Sequence, residues 1–276
     1  MPADLHIHTN LSDGTDSPED VVKLAKASGL TSIAITDHDT VAGVLRAVEE
    51  GDKIGVDIIP GIEFTTEIPK TEVHILGYFF DINDYSLLNL LSKIQQGRRD
   101  RICTMVEKLN ALGLKIASED VFNLAGNDSP GRPHVARILI KNAAVLNFKE
   151  AFDRYIGFNG PAYVSHYKLT PVDTIKVIVD AGGVAVFAHP GLSNCDNIIP
   201  ELISVGLRGL EVFYPSHKAE QVERYKAIAQ KEGLLVTGGT DFHGSNSGRQ
   251  ISLGGITVPD ETVLKLRGLS EYLRRN

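Results

Sequence analysis

Short apolar runs recur along the chain between longer stretches of mixed character, and the spacing of apolar positions switches between two residues and about 3.6. The runs SIAIT at 32–36, DIIPGIEF at 57–64, VHILGYFF at 73–80, VAVFAH at 184–189, GLEVFY at 209–214 and LLVTGG at 234–239 have strand length and β-branched content. ADLHIHT, near the start, reads as a further strand, and because strand residues alternate faces, His6 and His8 project to one side. Helical patterns lie between several of these runs. In SPEDVVKLAKASG, Ser17 is the N-cap, Pro18 takes the first helical position, acids fill the first turn and Gly29 is the stop. KAEQVERYKAIAQKEG, from 218, again ends at a glycine. Strand and helix in alternation predict parallel strands joined by right-handed crossovers, hence an α/β barrel or an open α/β sheet.

The alternation stops in the middle. From about Ser86 to Tyr155 the pattern is helical almost throughout, as in SLLNLLSKIQQGRRDRICTMVEKLNALG and RPHVARILIKNAAV, with the turn-forming GNDSPG between them. This predicts a helical insert, residues 81–164, between a strand ending near Phe80 and a helix starting near Thr170. Residues 1–80 and 165–276 would then form the barrel proper. There is no internal repeat and no low-complexity tract.

Composition narrows the function. With 276 residues, 42% hydrophobic and 23% charged, the chain is ordinary globular material. No apolar run approaches the roughly 18 residues that span a bilayer, and the polar MPADLHIHT stands where a signal peptide would begin, so a cytoplasmic protein without membrane association is expected. Cys103 and Cys195 lack any metal-binding or disulfide spacing, which leaves nitrogen and oxygen to hold any metal. A formal charge of −7 argues against coating long nucleic acid, so a small or short substrate is expected. No obligate protein partner is indicated.

On this frame the polar residues gather at strand ends. His6 and His8 end the first strand, Asp37, His38 and Asp39 follow the second, Glu63 lies at the end of the third, and His74 is on the fourth. His189 ends VAVFAH, while Asp241 and His243 follow LLVTGG. Barrel enzymes carry their chemistry at the C-terminal ends of the strands. Taken singly, His74 could be a core histidine, Glu63 a solvated strand residue and Asp37 a helix cap. Six of nine histidines together with several carboxylates point instead to a metal site.

The segments DLHIHTNLSDGT, ITDHDT, PGIEF, EVHILGY, FAHP and TGGTDFHG, in this order, resemble the PHP family, the polymerase and histidinol phosphatase domain. The helical insert with GRRDR and GRPH, and YPSHKAEQVERY further on, resemble its branch of bacterial phosphoesterases acting on nucleoside 3′,5′-bisphosphates and 5′-phosphorylated RNA ends. The resemblance implies a distorted (β/α)7 barrel. It also implies two to three divalent ions: one held by His6, His8, Glu63 and Asp241, a second by Glu63, His74 and His189, a third by Asp13, His38 and His243. Asp13 replaces a histidine found in some members of the family. Manganese is favoured, with iron, zinc and magnesium as alternatives. Such a site activates water as hydroxide and clamps the phosphoryl oxygens, with Glu63 and Asp241 holding the ions that do so. Asp37 would support a ligating imidazole through its other nitrogen, or else cap the following helix.

Substrate choice falls to the insert. Arg98, Arg99 and Arg101, then Arg132 and His134, and Arg249 beside the site, are candidates for holding a second phosphate; on a helix Arg98 and Arg101 share a face. A solvated helix face paired with Asp100 and Glu107 is the alternative. His217 would protonate a leaving oxygen or cap a helix. The activity implied is hydrolysis of the 3′-phosphate of a nucleoside 3′,5′-bisphosphate, or attack on a short 5′-phosphorylated RNA. Histidinol phosphatase is the alternative within the enzymes, and a non-catalytic PHP domain the alternative outside them.

Overall fold

The computed structural model of the chain describes residues 2–69, 71–126, 129–165, 168–247 and 250–275. Its strands are β1 (Pro2–Asp4), β2 (Ser32–Ile35), β3 (Asp57–Ile68), β4 (Thr71–Tyr78), β5 (Val184–Phe187), β6 (Leu207–Phe213), β7 (Leu235–Gly238) and β8 (Val258–Pro259). The helices are α1 (Pro18–Ala27), α2 (Ala42–Ile54), α3 (Tyr85–Ala111), α4 (Ser118–Ala125), α5 (Arg132–Lys141), α6 (Phe148–Ala151), α7 (Pro171–Asp180), α8 (Pro190–Ser193), α9 (Ile199–Ser204), α10 (Ala219–Glu232) and α11 (Asp260–Leu273). No helix of the described residues is long and apolar enough to cross a membrane.

One sheet carries the order β7-β6-β5-β4-β3-β2-β1-β8. Beyond β1 the chain turns back onto the continuation of β7: Leu5 N donates to Gly238 O at 3.3 Å, His8 N to Phe242 O at 2.8 Å, and Ile7 pairs with Phe242. The sheet therefore curls into a nearly closed barrel, the expected architecture, with β8 as a short antiparallel addition beside β1. The expectation of parallel strands throughout fails at β4. It pairs antiparallel with both β3 and β5, because Ile68 and Thr71 face each other across a tight hairpin that leaves no room for a crossover.

Alternation along the strands sorts the core into layers. Val184 and Val186 of β5 and Leu76 and Tyr78 of β4 fill the barrel with Leu5 and Ile59, and α11 closes its floor with Val263 and Leu266. Ile62, Phe64, Ile75 and Phe187 face outward onto α7 and α10, and Ile33, Ile35 and Ile58 onto α1 and α2. Strands buried on both faces explain why their sequences read as unbroken apolar runs. A third set of helices, α3 to α6, has a buried cluster of its own around Ile102, Met105, Leu109, Val121 and Leu139. α3 joins it to the barrel, since Leu87, Leu91 and Ile94 at its start pack with Phe64 and Ile75.

Barrel closure leaves no space at Gly239, where a Cβ would overlap the backbone nitrogen and Cβ of His6. Gly239→Ala should therefore push β1 from β7 and cost about 1–3 kcal/mol, read as a lower urea midpoint. An unchanged midpoint would mean the seam has slack.

Candidate metal centre

At the barrel mouth the inward-facing positions become polar. Along β3 the inner face runs Ile59, Gly61, Glu63, and along β4 it runs His74, Leu76, Tyr78. Since β4 is reversed, it is the beginning of this strand that reaches the mouth, and His74 arrives beside Glu63 from the N-terminal half of its strand. His189, following Phe187, would point outward if alternation continued. Its left-handed backbone, φ 27°, swings the ring back to 3.0 Å from Glu63 Oε1. Asp39 and Asp241, just past β2 and β7, also have positive φ, 52° and 51°. Such conformations cost of order 1–3 kcal/mol each, and three of them at one mouth mark a site built against local preference.

The donors converge closely. His6 Nε2 and His8 Nε2 are 3.2 Å apart, and each lies 3.1–3.4 Å from Glu63 Oε2 and Asp241 Oδ1. Ligands 2.0–2.2 Å from one ion at tetrahedral or octahedral angles lie about 2.8–3.6 Å apart, so this foursome has the edges of a coordination polyhedron. Glu63 Oε1 is 2.8 Å from His74 Nδ1 and 3.0 Å from His189 Nε2. Asp13 Oδ1 is buried and lies 3.1 Å from His243 Nε2. His38 stands between the groups, its Nδ1 3.2 Å from Glu63 Oε2. Three constellations thus offer converging ligand atoms: His6, His8, Glu63 and Asp241; His38, Glu63 and His74; His8, Asp13, His38 and His243. They contain eight of the nine residues expected as ligands; the ninth, His189, stands beside them against Glu63 Oε1, and His38 takes the place beside Glu63 and His74 that the resemblance gave to His189.

Electrostatics agree with a cation site. Burial alone would raise the Glu63 carboxyl, but His38, His6 and His74 around it hold it well below the usual range. Burial likewise opposes charge on His8 and His74, yet the adjacent carboxylates win and raise them to about 9 and about 10. His38, less favoured by its neighbours, is depressed by burial. Ions entering here would take over the positive charge that these imidazoles otherwise carry as protons.

The ligands are held from behind. Glu211, at the centre of β6 and fully buried, has Oε1 2.9 Å from His6 Nδ1 and accepts from His189 N at 2.7 Å through Oε2. Tyr214 donates to Asp241 Oδ2 at 2.9 Å. Neither was singled out from the sequence, although a glutamate at an inward position of the buried strand GLEVFY is itself a signal. Asp37 does not cap α2. It accepts from Thr9 N, Thr9 Oγ1 and Ser12 Oγ at 2.7, 2.7 and 2.5 Å, and reaches an imidazole only through Ser12, whose Oγ is 3.4 Å from His8 Nδ1. This bracing shapes the loop that presents Asp13, and Gly14 completes it, since a Cβ there would lie 2.7 Å from His8 O.

A model of the PHP domain matches residues 4–160. The chain belongs to the PHP domain family. It is 31% identical over 251 residues to the 3′,5′-nucleoside bisphosphate phosphatase of Chromobacterium violaceum, covering 89% of this chain and 88% of that protein. It is 30% identical to the phosphoribosyl 1,2-cyclic phosphate 1,2-diphosphodiesterase of Eggerthella lenta, over 88% and 95% of the two chains. Identity to the 5′-3′ exoribonuclease Rnm of Escherichia coli is 31%, over 87% of this chain and 84% of that one. Among solved structures, a chain from Bifidobacterium adolescentis assigned as a metal-dependent phosphoesterase superposes with a TM-score of 0.90 at 32% identity, over 97% and 96%.

Next to the PHP mouth, α3 and α5 enclose a cavity of about 200 Å³ whose walls include Asp13, His38, His74, Arg98, Arg101, Ser129, Arg132 and Phe152. The expected arginines divide here. Arg98 is committed to Asp39, which both its Nε and Nη2 reach, and to Thr65 Oγ1 at 2.8 Å. Arg99 points elsewhere and stacks on Phe122, 4.2 Å from the ring centroid, because it lies off the face shared by Arg98 and Arg101. Arg132 donates to Glu72 Oε2 at 2.8 Å. Arg101 donates through Nε to Val164 O at 2.7 Å, while its buried Nη2 has no acceptor among the described residues. Burial, then Arg132 beside it, lowers Arg101 to about 10. His134 does not line this cavity, and its Nδ1 accepts from Gly131 N at 3.1 Å and so caps α5. His217 is also engaged by backbone on both nitrogens, Nε2 accepting from Gly191 N at 3.1 Å and Nδ1 lying 2.9 Å from Val212 O. It caps α8, and both of its ring nitrogens face backbone groups. Arg249 lies outside the described residues.

Two measurements test this arrangement. Glu211→Gln should weaken divalent-metal binding roughly tenfold to a hundredfold in calorimetric titration, because the His6 ring loses its carboxylate partner; an unchanged affinity would make Glu211 merely a filler of the barrel. Burial depresses His134 from 6.5 to about 4, so between those values the unfolded chain holds a proton that the folded chain does not. Stability should fall by up to roughly 3 kcal/mol as pH drops through this window. His134→Gln, which keeps the capping acceptor, should lose correspondingly less between pH 7 and pH 4.

Proposed function

We propose that the chain, a metal-dependent phosphoesterase of the PHP family, removes the 3′-phosphate of nucleoside 3′,5′-bisphosphates, leaving a nucleoside 5′-monophosphate and phosphate. The observation that carries this reading is the Arg101 guanidinium, buried with an unused donor in a cavity that shares Asp13, His38 and His74 with the ligand cluster. The phosphoryl group that reacts would be held at the cluster, and Arg101 offers a separate place for one that does not. The buried hydroxyl of Ser129, also without a partner among the described residues, adds a second donor to the same wall. The name of the Chromobacterium violaceum relative supports the same substrate. A short RNA with a 5′-phosphate fits the same two anion positions, the ester attacked then being a diester, and the name of the Escherichia coli relative favours including it.

Two to three divalent ions, manganese favoured, would be held as the resemblance implies: by His6, His8, Glu63 and Asp241, by Glu63, His74 and His189, and by Asp13, His38 and His243. Bound there, they would supply a Lewis acid and an activated water near neutral pH. The chain does the rest. Glu63 sets the spacing, since Oε1 serves one group of imidazoles and Oε2 the other. Arg101 orients the substrate through the remote phosphate, so that binding energy far from the reacting ester positions that ester.

Phosphate release by manganese-reconstituted protein should be fastest with adenosine 3′,5′-bisphosphate or a 5′-phosphorylated oligoribonucleotide, slower with adenosine 3′-monophosphate and slowest with histidinol phosphate. Arg101→Ala should cut kcat/KM for the bisphosphate roughly tenfold to a hundredfold while sparing p-nitrophenyl phosphate. Arg99→Ala should change neither, and Arg98→Ala should lower stability by uncoupling Asp39. Fastest turnover of histidinol phosphate, or equal losses on both substrates in Arg101→Ala, would overturn the assignment.

A further inference from the structure

A second cavity, of about 270 Å³, adjoins the ligand cluster through Asp13 and His243 and is lined further by Pro133, Arg137, Phe148 and Phe152. Its character differs from that of the arginine pocket: two phenyl rings and a proline form much of the wall. Phe148 opens α6 and Phe152 begins the π-helical turn Phe152–Ile156, so the two rings, four residues apart, lie on one side of this segment. Short π-helical turns of this kind are frequent at functional sites. Asp13, Pro133 and Phe152 line both cavities, so the ligand cluster, the arginine pocket and the aromatic cavity meet around the same three residues.

We infer that the aromatic cavity is a nucleobase subsite, in which the base of the substrate stacks on Phe148 and Phe152. The inference rests on the nucleotide reading given above and adds the third arm of the substrate to it. Three groups radiate from the ribose of a nucleoside 3′,5′-bisphosphate: the reacting phosphate, the remote phosphate and the base. Three spaces meet at Asp13, Pro133 and Phe152: the ligand cluster, the cationic pocket and the aromatic cavity. Arg137, tethered by Nη2 to Asp13 O at 2.8 Å, brings a guanidinium to the aromatic wall, a further surface on which a base stacks. Recognition of this kind reads the π face of a base rather than its edge, so it accepts different bases.

Calorimetric titration of the manganese-loaded protein with adenosine 5′-monophosphate and with ribose 5-phosphate isolates the base. The wild type should bind the nucleotide roughly fivefold to a hundredfold more tightly than the sugar phosphate, the range expected for aromatic stacking. Phe148→Leu, which keeps apolar bulk and lines this cavity but not the arginine pocket, should abolish most of that ratio while leaving ribose 5-phosphate affinity unchanged. Phe152→Leu serves as the second variant, and melting temperatures confirm that both fold. Equal binding of the two compounds by the wild type, or an unchanged ratio in both variants, would overturn the subsite. The two readings fail separately. If adenosine 3′,5′-bisphosphate is not hydrolysed but the binding ratio holds and is lost in Phe148→Leu, the subsite stands and the reaction assignment falls. If the bisphosphate and its abasic ribose analogue are hydrolysed with the same kcat/KM, the phosphatase stands and the subsite falls.

Discussion

A single buried carboxylate governs this molecule. Glu63 is 1% exposed and has imidazole nitrogens within 3.2 Å on both of its oxygens: those of His74 and His189 on Oε1, and those of His6, His8 and His38 on Oε2. Removing so many ionisable groups from water is unfavourable unless charge is compensated in place. The surrounding structure is arranged to provide that compensation, and every element at the mouth contributes a group to it. The left-handed backbone at His189 and Asp241 is tolerated because the layers beneath are packed with branched and aromatic side chains that do not yield. Cohesion in the barrel interior and beneath α1, α2, α7 and α10 thus offsets a mouth that local preference would have built otherwise.

The reversed β4 belongs to the same constraint. A parallel fourth strand would bring only its last residue to the mouth. The hairpin with β3 sets His74 opposite Thr65, two positions beyond the Glu63–Leu76 pair, so that the imidazole and the carboxylate lie on one inner face and meet diagonally. Beyond His74, Glu72 continues the chain of contacts outward: its Oε1 lies 3.3 Å from His74 Nε2, while Oε2 accepts from Arg132 at 2.8 Å and from Lys168 at 3.1 Å. Burial would raise this carboxyl, but His74, Arg132 and Lys168 hold it well below its usual range. The ligand cluster and the cationic wall of the neighbouring cavity are therefore joined through one carboxylate.

Much of this was legible in the sequence, and the reason is periodicity. Strand-length apolar runs ending in His, Asp or Glu placed eight of the nine candidate ligands at one end of a barrel, while Asp13 and the division into ligand sets came only from the resemblance to the PHP family; the structure brings these side chains to one mouth. What failed were judgements made residue by residue. His134 and His217 stand beside chemistry-bearing motifs, but the needs of helix starts claimed both, and backbone capping leaves no pattern distinguishable from a functional histidine. Asp37 acts through a loop whose hydrogen bonds depend on two segments meeting in space. Glu211 was hidden by the opposite effect, a charged residue inside a run read only for its apolar neighbours. The direction of β4 rested on a two-residue turn, too short a signal to outweigh the alternation on either side.

The arginines of α3 show how far periodicity extends. The helix buries Leu87, Leu91, Ile94, Arg98, Arg101, Met105 and Leu109 in a row at intervals of three or four residues, so the two arginines stand where further leucines would be expected. Arg99 falls outside it. Two guanidinium groups on the buried stripe of an amphipathic helix are costly unless something anionic meets them. Asp39 meets Arg98, and no carboxylate among the described residues meets Arg101. The two arginines occupy the stretch where α3 passes from the barrel core to the cluster shared by α4, α5 and α6, so the helix is clamped by apolar packing on both sides of them. That clamping holds the unsatisfied cation in a fixed direction. An anion drawn to it would thereby be placed at a fixed position relative to Glu63, as the proposed reading of one phosphate while another reacts requires.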